Sequence, residues 1–189
     1  MTYLNSNQLK QYSDEGFVSP VNIFSKEKAK EIRDEIELIE KKLPNELEKT
    51  GRYNAHLISP MLDEVTHNEN ILNAVESLIG GNILVCGTTL FIKNPGEGGF
   101  VSYHQDAKYI GLEPHNWVTA WVAITDSNEN NGCMKMWSGS HKDNLKEHDQ
   151  NFNEKNLLTR GQTVNNVPDD QIVPLVLDSG QISLHHPKT

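Results

Sequence analysis

Apolar residues recur along this chain at two different periods, and the change between them falls near residue 80. Before it the spacing is three and four. Ala29, Ile32, Ile36, Ile39 and Leu43 form one stripe, which predicts a helix over Lys26 to Leu43 with Ser25 as its N-cap and Pro44 at its end. The charged residues between the stripe positions are its solvated face. Ile71, Leu72, Val75, Leu78 and Ile79 make a second stripe that stops at Gly80-Gly81, and Pro60 suits the first turn of a short helix over Met61 to Val65. A polar helix is expected around Gln8 to Glu15, ahead of the strand-like run Gly16-Phe-Val-Ser-Pro. Residues 1–80 therefore read as a mainly helical layer.

From Asn82 the pattern becomes short and β-like. Ile83-Leu-Val-Cys-Gly-Thr-Thr-Leu-Phe-Ile is rich in β-branched and aromatic residues and ends at the turn signal Asn94-Pro-Gly-Glu-Gly-Gly. Further strands are expected at Phe100 to His104, Trp117 to Thr125, Cys133 to Trp137, Ile172 to Leu177 and Gln181 to His185. Turns such as Asn128-Glu-Asn-Asn-Gly separate them, and no helices alternate with them. This arrangement predicts an antiparallel sandwich or barrel of the jelly-roll kind over residues 81–189, packed on the helical layer as a single domain of the α+β, mainly β class. The polar stretch from Asp143 to Asp170 has no period and reads as a long excursion over the barrel mouth, either a lid or a solvated loop.

Composition narrows the function classes. The 189 residues carry 17 Lys and Arg against 26 Asp and Glu, a formal charge of −9, which is the wrong sign for phosphate-driven nucleic-acid binding. No run of about 18 apolar residues is present, and Met1-Thr-Tyr-Leu-Asn-Ser-Asn lacks the features of a signal peptide, so a soluble, cytoplasmic protein without a membrane partner is expected. Cys86 and Cys133 show no CxxC spacing and are expected to be reduced, buried thiols.

Eight histidines carry more information. His104 and Asp106 are two apart, and on a strand end such residues point to one side. They could offer two ligands to one ion, as in the facial set of two His and one carboxylate that suits non-haem Fe(II) oxygenases. The spacing alone is weak, because His141-Lys142-Asp143 repeats it and His67-Asn68-Glu69 resembles it. His67 is expected at a helix start, and His141 in a solvent-exposed or stabilised turn. His104 closes an aromatic β-like run, Phe100-Val-Ser-Tyr103. A buried ion pair or hydrogen-bonded couple is the competing reading for His104 and Asp106.

Read as a set, Phe91-Ile-Lys-Asn-Pro-Gly, Val101-Ser-Tyr-His-Gln-Asp, Gly111-Leu-Glu-Pro, Thr119-Ala-Trp-Val-Ala-Ile-Thr-Asp, Asn131-Gly-Cys-Met, Ser138-Gly-Ser-His-Lys and Ser183-Leu-His-His closely resemble the phytanoyl-CoA dioxygenase family in order and spacing. Asp14, Gly16, Phe17 and Val18 extend the resemblance to nearly the whole chain. It implies a double-stranded β-helix (jelly-roll, cupin-like) and a dioxygenase that uses Fe(II), 2-oxoglutarate and dioxygen to hydroxylate a small molecule, with release of succinate and CO2. By that resemblance His104 and Asp106 match the first two iron ligands, while Trp121 and Leu90 match positions lining the 2-oxoglutarate pocket. Related halogenases replace the carboxylate by a small residue, so Asp106 argues for hydroxylation.

The resemblance also implies a third ligand, a His in a His-Gly-Ser context, and beyond it an Arg that pairs with the distal carboxylate of 2-oxoglutarate. Both fall just past Thr189 on alignment of His185-His186-Pro187, so the chain is expected to be a fragment that lacks its final strands. His185 and His186 are candidate substitutes, but in the family pattern this pair precedes the ligand, and one member is expected to pack or hydrogen-bond beside the site. The competing function is a metal-free jelly-roll module that binds a small molecule, or an inactive fragment.

Overall fold

A computed structural model describes residues 2–44, 52–150, 153–158, 160 and 162–189. Its N-terminal part is helical, for the reasons the stripes give. Helix α1 spans Ser6–Glu15 and starts two residues earlier than expected because Asn5 caps it: the Asn5 side chain accepts from the Asn7 and Gln8 N–H groups, and Gln8 returns a bond to the Asn5 N–H. Gly16 ends the helix at φ +86°, a conformation that glycine adopts without a Cβ penalty. Strand β1 follows over Phe17–Asn22, and α2 over Lys26–Lys42 is capped by Ser25, with Ala29, Ile32 and Ile36 buried. Helices α3 (Pro60–Thr66) and α4 (Glu69–Ile79) are capped by Ser59 and Asn68. His67 closes α3 rather than opening a helix: its N–H donates to the Asp63 carbonyl, and Asn68 takes over the capping of α4.

The β part is less regular than the apolar runs suggest. Helix α5 (Asp106–Ile110) comes first, then β2 (Thr119–Val122), β3 (Lys135–Trp137), β4 (Asp149–Gln150), β5 (Gln162–Thr163), β6 (Ile172–Pro174) and β7 (Gln181–His185). They form three antiparallel sheets, β1-β7-β2, β3-β6 and β4-β5. The expected strands over residues 83–92 and 100–104 are not strands among the described residues. The first makes one bridge, Thr89 to Tyr53, and leaves Leu84 94% exposed; the second makes one bridge, Phe100 to Asn156. β-propensity marks residues that fit a pleated, half-buried surface, and it cannot by itself supply a neighbouring strand.

Strand β7 is the centre of the larger sheet. Ile182 and Leu184, both fully buried, face Val18 and Val21 of β1 and Ile71, Ala74 and Val75 of α4. Burying side chains of this size stabilises the fold by about 1.5–3 kcal/mol each. Its other face carries Ser183 and His185, in register with Trp121 and Thr119 of β2. Phe17, paired with His185 from the β1 side, packs there with Met136 and Leu175. A third cluster, Ile32, Ile36, Ala55 and Leu62, ties α2 to α3.

Cys133 is buried and Cys86 exposed, both as free thiols, so the expectation of two buried thiols fails at Cys86. It lies in the run at residues 83–92, which bridges Tyr53 only at Thr89 and forms no strand. No described helix is long and apolar enough to cross a membrane.

Candidate metal centre

His104 and Asp106 meet by a route the strand picture did not contain. Gln105 is extended, at φ −113° and ψ 126°, and Asp106 is the first residue of α5. The chain thus turns from extended to helical between the two functional side chains. Gln105 points the other way and is 3% exposed; its amide donates to the Lys188 carbonyl at 2.6 Å and accepts from the Lys146 N–H at 2.7 Å. Its backbone N–H donates to His148 Nε2. Pinning the residue between them fixes both neighbours.

The segment that delivers His104 is held by the polar excursion rather than by a sheet. Phe100 N–H donates to the Lys155 carbonyl, Leu157 N–H to the Phe100 carbonyl, and Val164 N–H to the Tyr103 carbonyl. The Ser102 hydroxyl donates to the Gln162 carbonyl and accepts from Asn156. Those parts of the stretch from Asp143 to Asp170 serve as a structural partner, neither a free lid nor a merely solvated loop; residues 151, 152, 159 and 161 lie outside the described ones.

At the site, His104 Nδ1 lies 2.8 Å from the Ser102 carbonyl, which can only accept, so Nδ1 carries a hydrogen. Nε2 then faces Asp106 Oδ1 at 3.1 Å. With the proton on Nδ1, Nε2 either carries a second proton and donates to the carboxylate, or keeps its lone pair and shares a cation with it. A backbone carbonyl that fixes the far ring nitrogen is the usual support of a metal-bound imidazole. Asp106 Oδ2 accepts from the Thr119 hydroxyl at 2.7 Å and lies 3.3 Å from His185 Nε2. Tyr109, on α5, sets its ring edge against His104 at 5.7 Å, and the Arg160 guanidinium stands 5.9 Å from the centre of the Tyr109 ring.

Electrostatics follow from this packing. Burial alone would lower the His104 pKa, but the hydrogen bond and charge of Asp106 and the Ser102 carbonyl outweigh it, and the pKa is raised. Burial also works against the Asp106 carboxylate, yet the hydrogen bonds from His104 and His185, with their charges, hold it well below the usual carboxylate range. Each partner thus favours the charged form of the other. A divalent cation would take the place of the His104 proton, so the donor set suits a metal. Among the described residues, no three His, Cys, Asp or Glu side chains are grouped so as to hold one ion together.

The other expected site residues divide. Trp121 is two residues from Thr119 on β2 and in register with Ser183, on the same face of the sheet as Thr119 and His185. Leu90 packs instead against Ile32, Ile36, Ala55 and Leu62, beside α2. His186 also turns elsewhere, with its ring against His141 at 5.4 Å and Tyr12 at 6.4 Å. His141 is half-buried in its turn and reaches the Ser13 carbonyl. Sequence reasoning missed Thr119, Ser102 and Gln105. Thr119 had one available signal, its two-residue spacing from Trp121; Ser102 reaches His104 through its backbone carbonyl, which leaves no trace in residue type.

Comparison with known proteins fits this geometry. Over 97% of its length the chain is 28% identical to the peroxisomal phytanoyl-CoA dioxygenase of Rattus norvegicus, covering 62% of that protein. Over 91 residues it is 34% identical to the phytanoyl-CoA dioxygenase domain-containing protein 1 of Danio rerio, covering 31% of it. The chain thus spans between about a third and two thirds of the length of these relatives. Among solved structures, the apo form of the non-heme monooxygenase ThoJ superposes with a TM-score of 0.83 at 29% identity, over 96% of this chain and 68% of that one. The sequence pattern of phytanoyl-CoA dioxygenase (PhyH) matches residues 12–189, and the chain belongs to that family.

Proposed function

We propose that this protein is part or all of an Fe(II)- and 2-oxoglutarate-dependent dioxygenase that hydroxylates a small molecule. The observation that carries this reading is the approach of His104 Nε2 and Asp106 Oδ1 at 3.1 Å, with His104 Nδ1 tied to the Ser102 carbonyl. Family membership supports it, as does the likeness to ThoJ, which has also been solved as a Ni complex. In this reading residues 1–189 are one oxygenase domain, with residues 81–189 contributing to a double-stranded β-helix packed on the helical layer of residues 1–80.

His104 and Asp106 would hold the iron. When bound, Fe(II) with 2-oxoglutarate and dioxygen supplies the oxidising chemistry, which leaves succinate and CO2 and puts one oxygen atom into a substrate C–H bond. The chain's own residues do the positioning. His104 presents a lone pair whose direction Ser102 fixes. Asp106 supplies one negative charge and occupies the place that an external halide would otherwise take, which favours hydroxylation. Trp121 offers an apolar wall that excludes water from the 2-oxoglutarate pocket. Leu90 is the second wall residue in this reading, and its place beside α2 makes it a test of how far the pocket extends.

Succinate formation from 2-oxoglutarate, measured with and without Fe(II), tests the proposal. Iron-dependent succinate that vanishes in Asp106→Ala is expected. If the wild-type protein binds no iron and forms no succinate, the chain is a metal-free binding module, with His104 and Asp106 as a structural ion pair, or an inactive fragment.

A further inference from the structure

We propose that Thr119 and His185 are positioning residues: they occupy the far oxygen of Asp106 and thereby reserve the near oxygen for the metal. The inference rests on the reading of His104 and Asp106 as metal ligands and adds the device that fixes how the carboxylate binds.

The two oxygens of Asp106 have different surroundings. Among the described residues Oδ1 bonds only His104 Nε2, at 3.1 Å. Oδ2 takes the Thr119 hydroxyl at 2.7 Å and His185 Nε2 at 3.3 Å. Thr119 and His185 are direct partners across β2 and β7, so a single cross-strand pair carries both donors and the sheet sets their separation. His185 is 6% exposed and has little room to turn away.

A carboxylate free to rotate can bind a cation through one oxygen or through both. Binding through both would consume a coordination position that the co-substrates need. Two hydrogen bonds on Oδ2 use its lone pairs and hold the carboxylate plane, so only Oδ1 is left to ligate. In this arrangement His185 serves Oδ2, while His104 faces Oδ1, the oxygen left to ligate.

Two experiments test this. In the metal-free protein, a double-mutant cycle of Thr119→Val with Asp106→Ala, followed by urea denaturation, isolates the contact. Thr119→Val nearly keeps the shape and removes the hydroxyl. It should lower the folding equilibrium constant about tenfold or more when Asp106 is present, and much less in the Asp106→Ala background. Equal losses in both backgrounds would overturn the contact.

Co(II) titration of the full chain, followed by visible absorption, tests the positioning role and also serves if Asp106→Ala does not fold. Thr119→Val and His185→Phe should each weaken Co(II) binding about 10- to 100-fold and alter the spectrum, and Thr119→Ser should restore both. Wild-type affinity and spectrum in Thr119→Val and His185→Phe would overturn the inference and leave the metal reading intact. A loss in His185→Phe far beyond that in Thr119→Val would make His185 a ligand, which also overturns it. If the wild-type chain binds no Co(II), the metal reading falls and this inference with it.

Discussion

The two faces of strand β7 follow different rules. On one face Ile182 and Leu184 are fully buried among apolar side chains of β1 and α4, where only volume and shape are at stake. On the other, Ser183 and His185 are equally enclosed but polar, and their partners decide whether burial is tolerable. His185 Nε2 has Asp106, while His185 Nδ1 and the Ser183 hydroxyl have no partner among the described residues. The apolar face stabilises the sheet that the polar face uses to place its groups. Stability and chemistry are thus separated by the alternation of a five-residue strand.

The comparison can be broken most forcefully from the apolar side. Leu184→Ala should cost about 2–5 kcal/mol, because a fully enclosed side chain leaves a cavity; urea denaturation reads this directly, and a loss below 1 kcal/mol would mean that the face is loosely packed. Gly180→Ala comes next. Gly180 sits at φ +92°, an added Cβ would lie 2.4 Å from the Phe24 carbonyl oxygen, and its N–H bonds the Ala123 carbonyl. This turn sets the register of β7, and a slip of one residue would exchange its two faces. A loss of at least about 1 kcal/mol is expected, with weaker metal binding alongside; a neutral result would show that the register is set elsewhere.

His186, one residue past β7, gives the comparison a pH dependence. Burial first, then the charges of His141, Lys188 and His115, push its pKa from 6.5 down to about 4. Its Nδ1 accepts from the Lys188 N–H, which requires the unprotonated nitrogen. Below pH 6.5 the unfolded chain takes up a proton that the folded protein refuses, so stability falls as pH drops from 6.5 toward 4. His186→Asn, whose amide oxygen can serve as the acceptor, should flatten that slope in denaturation midpoints measured across the window. An unchanged slope would assign it to other groups. The smallest effect is expected at Ser183→Ala, within about 1 kcal/mol of neutral, because the hydroxyl removed makes no described bond. A large loss there would reveal a partner.

The helical layer was legible because its evidence is local. Ser25 and the stripes at spacings of three and four specify α2 and α4 without reference to the rest of the chain, and the alternation in Gln181 to His185 matched β7 to the residue. Residues 83–92 were not legible: their β-branched run states a preference for pairing, and whether a partner is present is a long-range matter. Half of the site could be read in the same way. His104 and Asp106 stand out by type and spacing, and the expected bond from one of His185 and His186 beside the site is made by His185, but Thr119 reaches Asp106 from 13 residues away, and a lone Thr carries no signature of what it faces. The short helix that begins at Asp106 also escaped notice, because Asp106-Ala-Lys-Tyr-Ile has less than two turns over which to show a period.

The central claim is that His104 and Asp106 form a metal site in this protein. Equilibrium Fe(II) binding under anaerobic conditions, measured on the wild-type chain and on His104→Ala and Asp106→Ala, tests it most directly. The account predicts one Fe(II) per wild-type chain and binding at least about 100-fold weaker in each variant, because each removes a ligand rather than a supporting group. Equal Fe(II) affinity in all three proteins, or none in the wild type, would contradict it.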